Sequence, residues 1–328
     1  MLEQILSLNN ILKSLKIKAS CVKYSKYKNA CFYDLELRPG ARVKDIEKYA
    51  VELGLLLKKG GKLRIVVDSS NGVIKLEFIE KCQDKTHLFE LGNQFKRPQG
   101  GLMCLLGETF DGQPIWMDLL KTPHLLIGGT SGSGKSVLLH NIIANVLMYP
   151  YVKLYLMDPK NIEFYKYSRM NKIKLSNEFD DCLKNIQELC SEMDRRYLAI
   201  KENNSIKFPI IVLVIDEYSD LIMQDVDGEF YKSLTRLSQK SRAAGIHIVL
   251  STQRPSVDVV NGTIKANFPA RISCRVTSHV DSKIILDTVG AENLMGNGDA
   301  LINTEILNMK RFQVAYVTPD KICKYLNG

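Results

Sequence analysis

The chain has 328 residues, 45% hydrophobic and 25% charged, with a formal net charge of +9. Those are the proportions of a globular protein of two domains, or of one large domain with an appendage, and they exclude a disordered or fibrous chain. The longest aliphatic run is Ile210 to Ile215, and Met1-Leu2-Glu3 opens without a basic n-region, so neither membrane insertion nor secretion is expected.

Charge and cysteines narrow the class further. Residues 1–100 carry 19 Lys/Arg against 11 Asp/Glu, a balance of +8, whereas residues 101–328 carry 26 against 25, a balance of +1. A basic appendage on a near-neutral body fits a polyanionic partner as well as it fits a solvated lysine face. Cys21, Cys31, Cys82, Cys104, Cys182, Cys190, Cys274 and Cys323 form no C-x-x-C pair and no metal spacing with histidine. They read as reduced, mostly buried thiols of a cytoplasmic protein.

In chain order, Leu2, Ile5, Leu6, Leu8 and Leu12 recur at roughly helical spacing. Ala30 to Leu37 predicts a strand ended by Pro39-Gly40, and Val43 to Lys58 an amphipathic helix stopped by Gly60-Gly61. Leu63 to Val67 and Val73 to Ile79 predict strands joined by an Asn71-Gly72 hairpin turn. This is a small α+β domain, residues 1–97, and the stretch from Lys96 to Gly101 is the expected linker. From residue 98 strands alternate with helices. Strands are expected at His124 to Gly128, Lys153 to Asp158, Ile210 to Ile215, His247 to Ser251, Ile272 to Val276, Ala300 to Asn303 and Phe312 to Val317. Helices are expected at Val137 to Tyr149, Asp180 to Lys201, Glu229 to Ala244 and Val280 to Val289. Such alternation predicts an α/β domain whose mostly parallel sheet is covered on both faces.

The chemistry concentrates after the first of these strands. Gly129-Thr130-Ser131-Gly132-Ser133-Gly134-Lys135-Ser136 reads G-x-x-x-x-G-K-S, with a strand before it and a helix after it beginning at Val137. The glycines let the backbone curl so that successive N–H groups meet phosphate oxygens. Lys135 would reach the β- and γ-phosphates, and the Ser136 hydroxyl would ligate Mg²⁺. The expected ligand is therefore a nucleoside triphosphate such as ATP. Ile210 to Ile215 then runs into Asp216-Glu217. A carboxylate at that strand end, Asp216, holds Mg²⁺ in phosphate-loop NTPases, and Glu217 is placed to orient and deprotonate the attacking water. Gln253, in Ser251-Thr252-Gln253-Arg254-Pro255, ends the next strand and is the candidate sensor of the γ-phosphate. Arg242, Arg254 and Arg271 are the candidate arginines for a neighbouring subunit's site.

Together these segments resemble the motor domain of the FtsK/SpoIIIE family of double-stranded DNA translocases. The likeness is carried by Pro123 to Ser136, Met157-Asp158-Pro159-Lys160, Glu192-Met193-Asp194-Arg195-Arg196-Tyr197, Ala243-Ala244-Gly245-Ile246-His247 and the run Ser251 to Arg271. It spans about residues 101 to 317, and residues 1–97 are more weakly similar to the small domain that precedes the motor. The resemblance implies a RecA-like phosphate-loop fold, a homo-oligomeric and typically hexameric ring, and ATP-driven movement of duplex DNA through its channel. It also implies that Arg271 reaches the neighbour's nucleotide, and that Lys283 and Arg311 lie on channel loops touching DNA phosphates. The sequence shows neither the family's membrane anchor nor its winged-helix module, so a minimal motor without a septal role is expected. The competing expectations are a nucleotide-gated scaffold that docks DNA through residues 1–100, and a polypeptide-secretion motor.

Overall fold

The computed structural model describes residues 1–27, 30–58, 62–68, 72–79, 85–203 and 206–327. The chain groups into two compact units, Met1–Lys85 with Phe110–Gln113, and Thr86–Thr109 with Pro114–Gly328. In the first, α1 (Leu2–Ser14) is followed by β1 (Ala19–Tyr27), β2 (Ala30–Leu37), α2 (Val43–Glu47), α3 (Ala50–Leu56), β3 (Lys62–Asp68) and β4 (Val73–Ile79). The strands form an antiparallel sheet in the order β1-β2-β4-β3. Cys31, Tyr33 and Leu35 of β2 and Ile74, Leu76 and Phe78 of β4 alternate onto one buried face. Leu8 and Leu12 of α1, one helical turn apart, join Ile46 and Leu53 in the same cluster.

The helix expected over residues 43–58 is two short helices. The chain leaves the helical basin at Tyr49 (φ −106°, ψ 20°) before α3 resumes. Strand β1 is not legible in the sequence, because its interleaved lysines, tyrosines and serines hide a two-residue period. Of the expected breaks, Gly60, Gly61 and Asn71 lie outside the described residues, whereas Gly72 is in a turn at φ 68°.

The second unit opens with α4 (Leu88–Gln94), β5 (Met103–Thr109), β6 (Pro114–Asp118), β7 (His124–Gly128), α5 (Lys135–Leu147), β8 (Val152–Met157) and β9 (Ile173–Ser176). It continues with α6 (Phe179–Glu202), β10 (Ile210–Ile215), α7 (Tyr218–Gln224), α8 (Glu229–Lys240), β11 (Ile246–Thr252), α9 (Gly262–Asn267) and β12 (Ala270–Cys274). Helix α10 (His279–Leu286), β13 (Asp299–Asn303), β14 (Lys310–Val314) and α11 (Pro319–Asn327) complete it. Residues 86–97 lie in this unit because Leu88 and Leu91 of α4 are buried in its core.

Ten strands form one sheet in the order β6-β5-β14-β13-β12-β7-β11-β10-β8-β9. From β12 to β9 every pair is parallel, and from β12 to β6 every pair is antiparallel. The parallel strands are apolar on both faces. Val212 and Val214 of β10, with Leu125 and Ile127 of β7, enter one core, shared with Leu138, Leu139, Ile142 and Ile143 of α5. Ile211, Leu213 and Ile215 point the other way, against Ile186, Leu189 and Met193 of α6 and Leu234 and Leu237 of α8. Two-sided burial is why these strands read as unbroken aliphatic runs. Deleting one such side chain, as in Leu213→Ala, costs on the order of 2–5 kcal/mol. Among the described residues no helix is long and apolar enough to cross a membrane.

Candidate nucleotide and metal site

The site lies where the parallel strands end. Strand β7 delivers Gly128 to that edge, and Gly129, Thr130, Ser131, Gly132, Ser133 and Gly134 connect it to Lys135, the first residue of α5. Backbone bonds hold the outside of this loop. The Thr130 amide and hydroxyl donate to the Arg275 carbonyl at 3.0 and 3.1 Å. The Gly298 amide donates to the Ser133 carbonyl at 2.8 Å. The first turn of α5, Lys135, Ser136 and Val137, has amides without intrahelical acceptors, and with the loop it forms an anion cradle. Gly134 must be glycine. Its φ is 105°, and a Cβ there would lie 2.3 Å from the Gly298 amide nitrogen.

Lys135 bends toward the end of β10. Its Nζ donates to Asp216 Oδ1 at 2.6 Å and to Ser251 Oγ at 3.1 Å, and both charged side chains are 3% exposed. Burial pushes the Asp216 carboxyl up, and the Lys135 charge opposes that shift. Glu217 is enclosed by donors. Its Oε1 accepts from the hydroxyls of Ser219 (2.7 Å) and Thr252 (2.9 Å), and both oxygens accept from the Gln253 amide at 3.1 Å. Lys160 Nζ stands 3.9 Å from Glu217 Oε2 and 3.2 Å from Asp220.

The Ser136 hydroxyl donates to Glu163 Oε1 at 2.7 Å. Glu163 Oε2 lies 3.4 Å from His140 Nε2, and His140 Nδ1 meets the Tyr167 hydroxyl at 3.0 Å. The hydrogen bonds from His140 and Ser136 hold the Glu163 carboxyl below its ordinary range, against the opposing effect of burial. No motif in the sequence marks Glu163. The available signal was its place five residues beyond Asp158, whose Oδ2 accepts from the Glu163 and Phe164 amides at 2.8 Å each and folds the loop back.

Oxygen donors suited to a hard cation are thus offered by Ser136, at the start of α5, and by Asp216, held beside the loop by Lys135. That fits Mg²⁺, which keeps most of its waters and takes one or two protein ligands beside nucleotide phosphates.

Lys135, Asp216, Glu217 and Gln253 therefore meet beside the loop Gly129 to Gly134 and the first turn of α5 with Ser136 and Val137, whereas Arg271, Lys283 and Arg311 are held elsewhere in the fold. Arg271 lies on β12 opposite Leu126, and its guanidinium donates to the carbonyls of Phe268 (3.1 Å) and Lys265 (2.9 Å) and pairs with Asp287. Lys283 is exposed on α10, with its carbonyl accepting from Lys265 Nζ at 3.3 Å. Arg311, by the resemblance a channel-loop residue, lies on β14. It is a strand residue, 4% exposed, with Nε and Nη2 donating to Asp299 Oδ1 and Oδ2 at 2.8 and 2.6 Å. A fully buried carboxylate demands such a partner, so this guanidinium is engaged inside the fold rather than displayed to a phosphate backbone.

A ten-stranded α/β sheet with a phosphate loop, a buried lysine–aspartate pair and an adjoining glutamate defines a RecA-like phosphate-loop NTPase fold. The FtsK/SpoIIIE family model matches residues 90–207 and 198–257, and the chain belongs to that family. It is 35% identical over 320 residues to the DNA translocase FtsK of Clostridium acetobutylicum, covering 90% of this chain and 42% of the relative. It is 32% identical over 323 residues to the DNA translocase SftA of Bacillus subtilis, covering 91% and 34%. The chain thus spans less than half the length of these curated relatives. Among solved structures, it superposes on the pCW3 conjugation coupling protein TcpA, a monomer form with ATPγS, with a TM-score of 0.69 at 22% identity over 98% and 99% of the two chains. The Thermomonospora curvata type VII secretion ATPase EccC aligns with a TM-score of 0.62 at 21% identity over 72% of this chain and 32% of its own.

Proposed function

We propose that this protein is an ATP-hydrolysing motor that translocates double-stranded DNA through a ring of identical subunits, six by the family pattern, in the cytoplasm. The observation that carries the proposal is the buried constellation of Lys135, Asp216 and Glu217 at the phosphate loop of a chain from a family whose similar members are DNA translocases. The small basic unit and the larger unit then act as an accessory domain and the motor.

In this proposal the loop amides and Lys135 hold the triphosphate, while Ser136 and Asp216 hold Mg²⁺. The cation, when bound, neutralises charge on the β- and γ-phosphates. Glu217 takes the proton from the attacking water. Its carboxylate is anchored on the main-chain N–H of Gln253, so a backbone shift at Gln253 on loss of the γ-phosphate moves the base with it. That linkage couples sensing to hydrolysis. Arg271 makes no hydrogen bond to the loop, Asp216 or Glu217 of its own chain, as suits a residue acting on the neighbour. Lys283 remains the candidate phosphate contact in the channel.

The test is steady-state ATPase activity without nucleic acid and with duplex DNA, single-stranded DNA or RNA, beside Lys135→Ala. Strong stimulation by duplex, absent in the variant, supports the motor. A rate indifferent to every polymer refutes DNA translocation and favours the scaffold or the polypeptide motor.

A further inference from the structure

Ser136 and His140 stand one helical turn apart on α5 and grip the two oxygens of a single carboxylate. Ser136 Oγ donates to Glu163 Oε1 at 2.7 Å, and His140 Nε2 lies 3.4 Å from Glu163 Oε2. Behind them the Tyr167 hydroxyl fixes His140 Nδ1 at 3.0 Å, and Tyr167 itself is fully buried. The Glu163 amide is pinned to Asp158 Oδ2 at 2.8 Å, so backbone and side chain are both held. A serine hydroxyl that ligates a cation does so through an oxygen lone pair, and its proton still needs an acceptor. Glu163 Oε1 is that acceptor, already in place, and it directs the lone pair away from itself.

We infer that Glu163 is a positioning residue for the metal-ligating hydroxyl of Ser136, itself held by His140 and Tyr167. By accepting the Ser136 hydrogen bond, the carboxylate would orient the oxygen, make it a stronger donor to Mg²⁺, and add a negative charge close to the cation. Outer-shell groups of this kind typically change metal affinity 10- to 100-fold. The alternative is a purely structural clasp between α5 and the loop after β8. The two differ in what they predict in the absence of metal. This inference rests on the nucleotide-binding part of the proposed function.

The experiment is titration of the full chain with a fluorescent ADP analogue, in EDTA and across a range of Mg²⁺ concentrations. It compares wild type with Glu163→Ala, Glu163→Gln and Lys135→Ala, after thermal melts confirm folding. For Glu163→Ala the half-saturating Mg²⁺ concentration is expected to rise about tenfold or more while affinity in EDTA stays at the wild-type value. Glu163→Gln keeps an acceptor oxygen and loses the charge, so it should fall between the two, and it serves as the readout should the alanine variant not fold. Unchanged Mg²⁺ dependence in a folded variant overturns the proposal. So does an equal loss with and without Mg²⁺, which marks the clasp as structural. A wild type that binds no nucleotide overturns the proposed function as well, whereas metal-dependent wild-type binding matched by Glu163→Ala overturns only this inference.

Discussion

Lys135 and Asp216, 81 positions apart in the sequence, meet as a buried ion pair with Nζ 2.6 Å from Oδ1. Removing one partner strands the other charge, so Asp216→Ala should destabilise the protein by about 3–5 kcal/mol as well as stop turnover. The double variant Lys135→Met/Asp216→Leu should regain most of that stability without regaining activity. Urea unfolding checks this. A double variant no more stable than the single would show that the pair's worth lies elsewhere.

Glu217 is expected to do its work after binding. Glu217→Gln should therefore reduce turnover by roughly 10²–10⁴-fold while leaving ATP affinity within a few-fold of wild type. Retention of bound ATP through gel filtration separates the two effects. An equal fall in affinity would instead assign Glu217 to binding.

Arg271 is directed at its own Phe268, Lys265 and Asp287 rather than at its own phosphate loop. If it serves a neighbour, Arg271→Ala alone should lose about 10³–10⁵-fold in turnover. Mixing it with Lys135→Ala subunits should restore part of the rate, because some interfaces then pair an intact loop with an intact arginine. No recovery over any mixing ratio would exclude action between subunits.

The two basic residues expected at DNA should part company. Lys283→Ala should weaken duplex binding across all sequences and reduce the slope of log affinity against log salt by about one. Arg311→Ala should behave as a folding defect of about 3–5 kcal/mol, since it leaves Asp299 buried without its guanidinium. A stable Arg311→Ala protein with weakened DNA binding would instead make Arg311 a phosphate contact.

His124 and His247 lie near the starts of the adjacent strands β7 and β11 and are buried, and burial lowers their pKa values to about 3 and about 4. Below the unfolded value near 6.5 the unfolded chain takes up the protons and the folded chain does not. Stability is then full above pH 6.5 and is lost as pH falls toward 4 for His247 and 3 for His124, by about 1.4 kcal/mol per pH unit for each. His124→Phe should flatten the decline of the urea midpoint between pH 6 and 4.5 by about half. A parallel decline would remove His124 from the acid response.

The sequence alone carried the parts of this protein whose chemistry is local. A glycine-rich loop between an apolar run and a helical period, and an aliphatic strand ending in two acids, are legible because backbone conformation and strand burial constrain adjacent residues. The family likeness was legible for the same reason, as a series of such short motifs in order. The split of the helix at Tyr49 and the strand β1 were not, because neither interrupts nor creates a clear period. What only the tertiary structure decided is which distant side chains share one low-dielectric space. Glu163 closes on Ser136 because Asp158 turns the loop after β8 back over α5. Arg311 is withdrawn from solvent because β13 and β14 set it opposite Leu301, within reach of the buried carboxylate of Asp299. A charge is cheap in water and costly in a core, so the fate of each lysine, arginine and glutamate here was settled by burial, which no stretch of sequence contains.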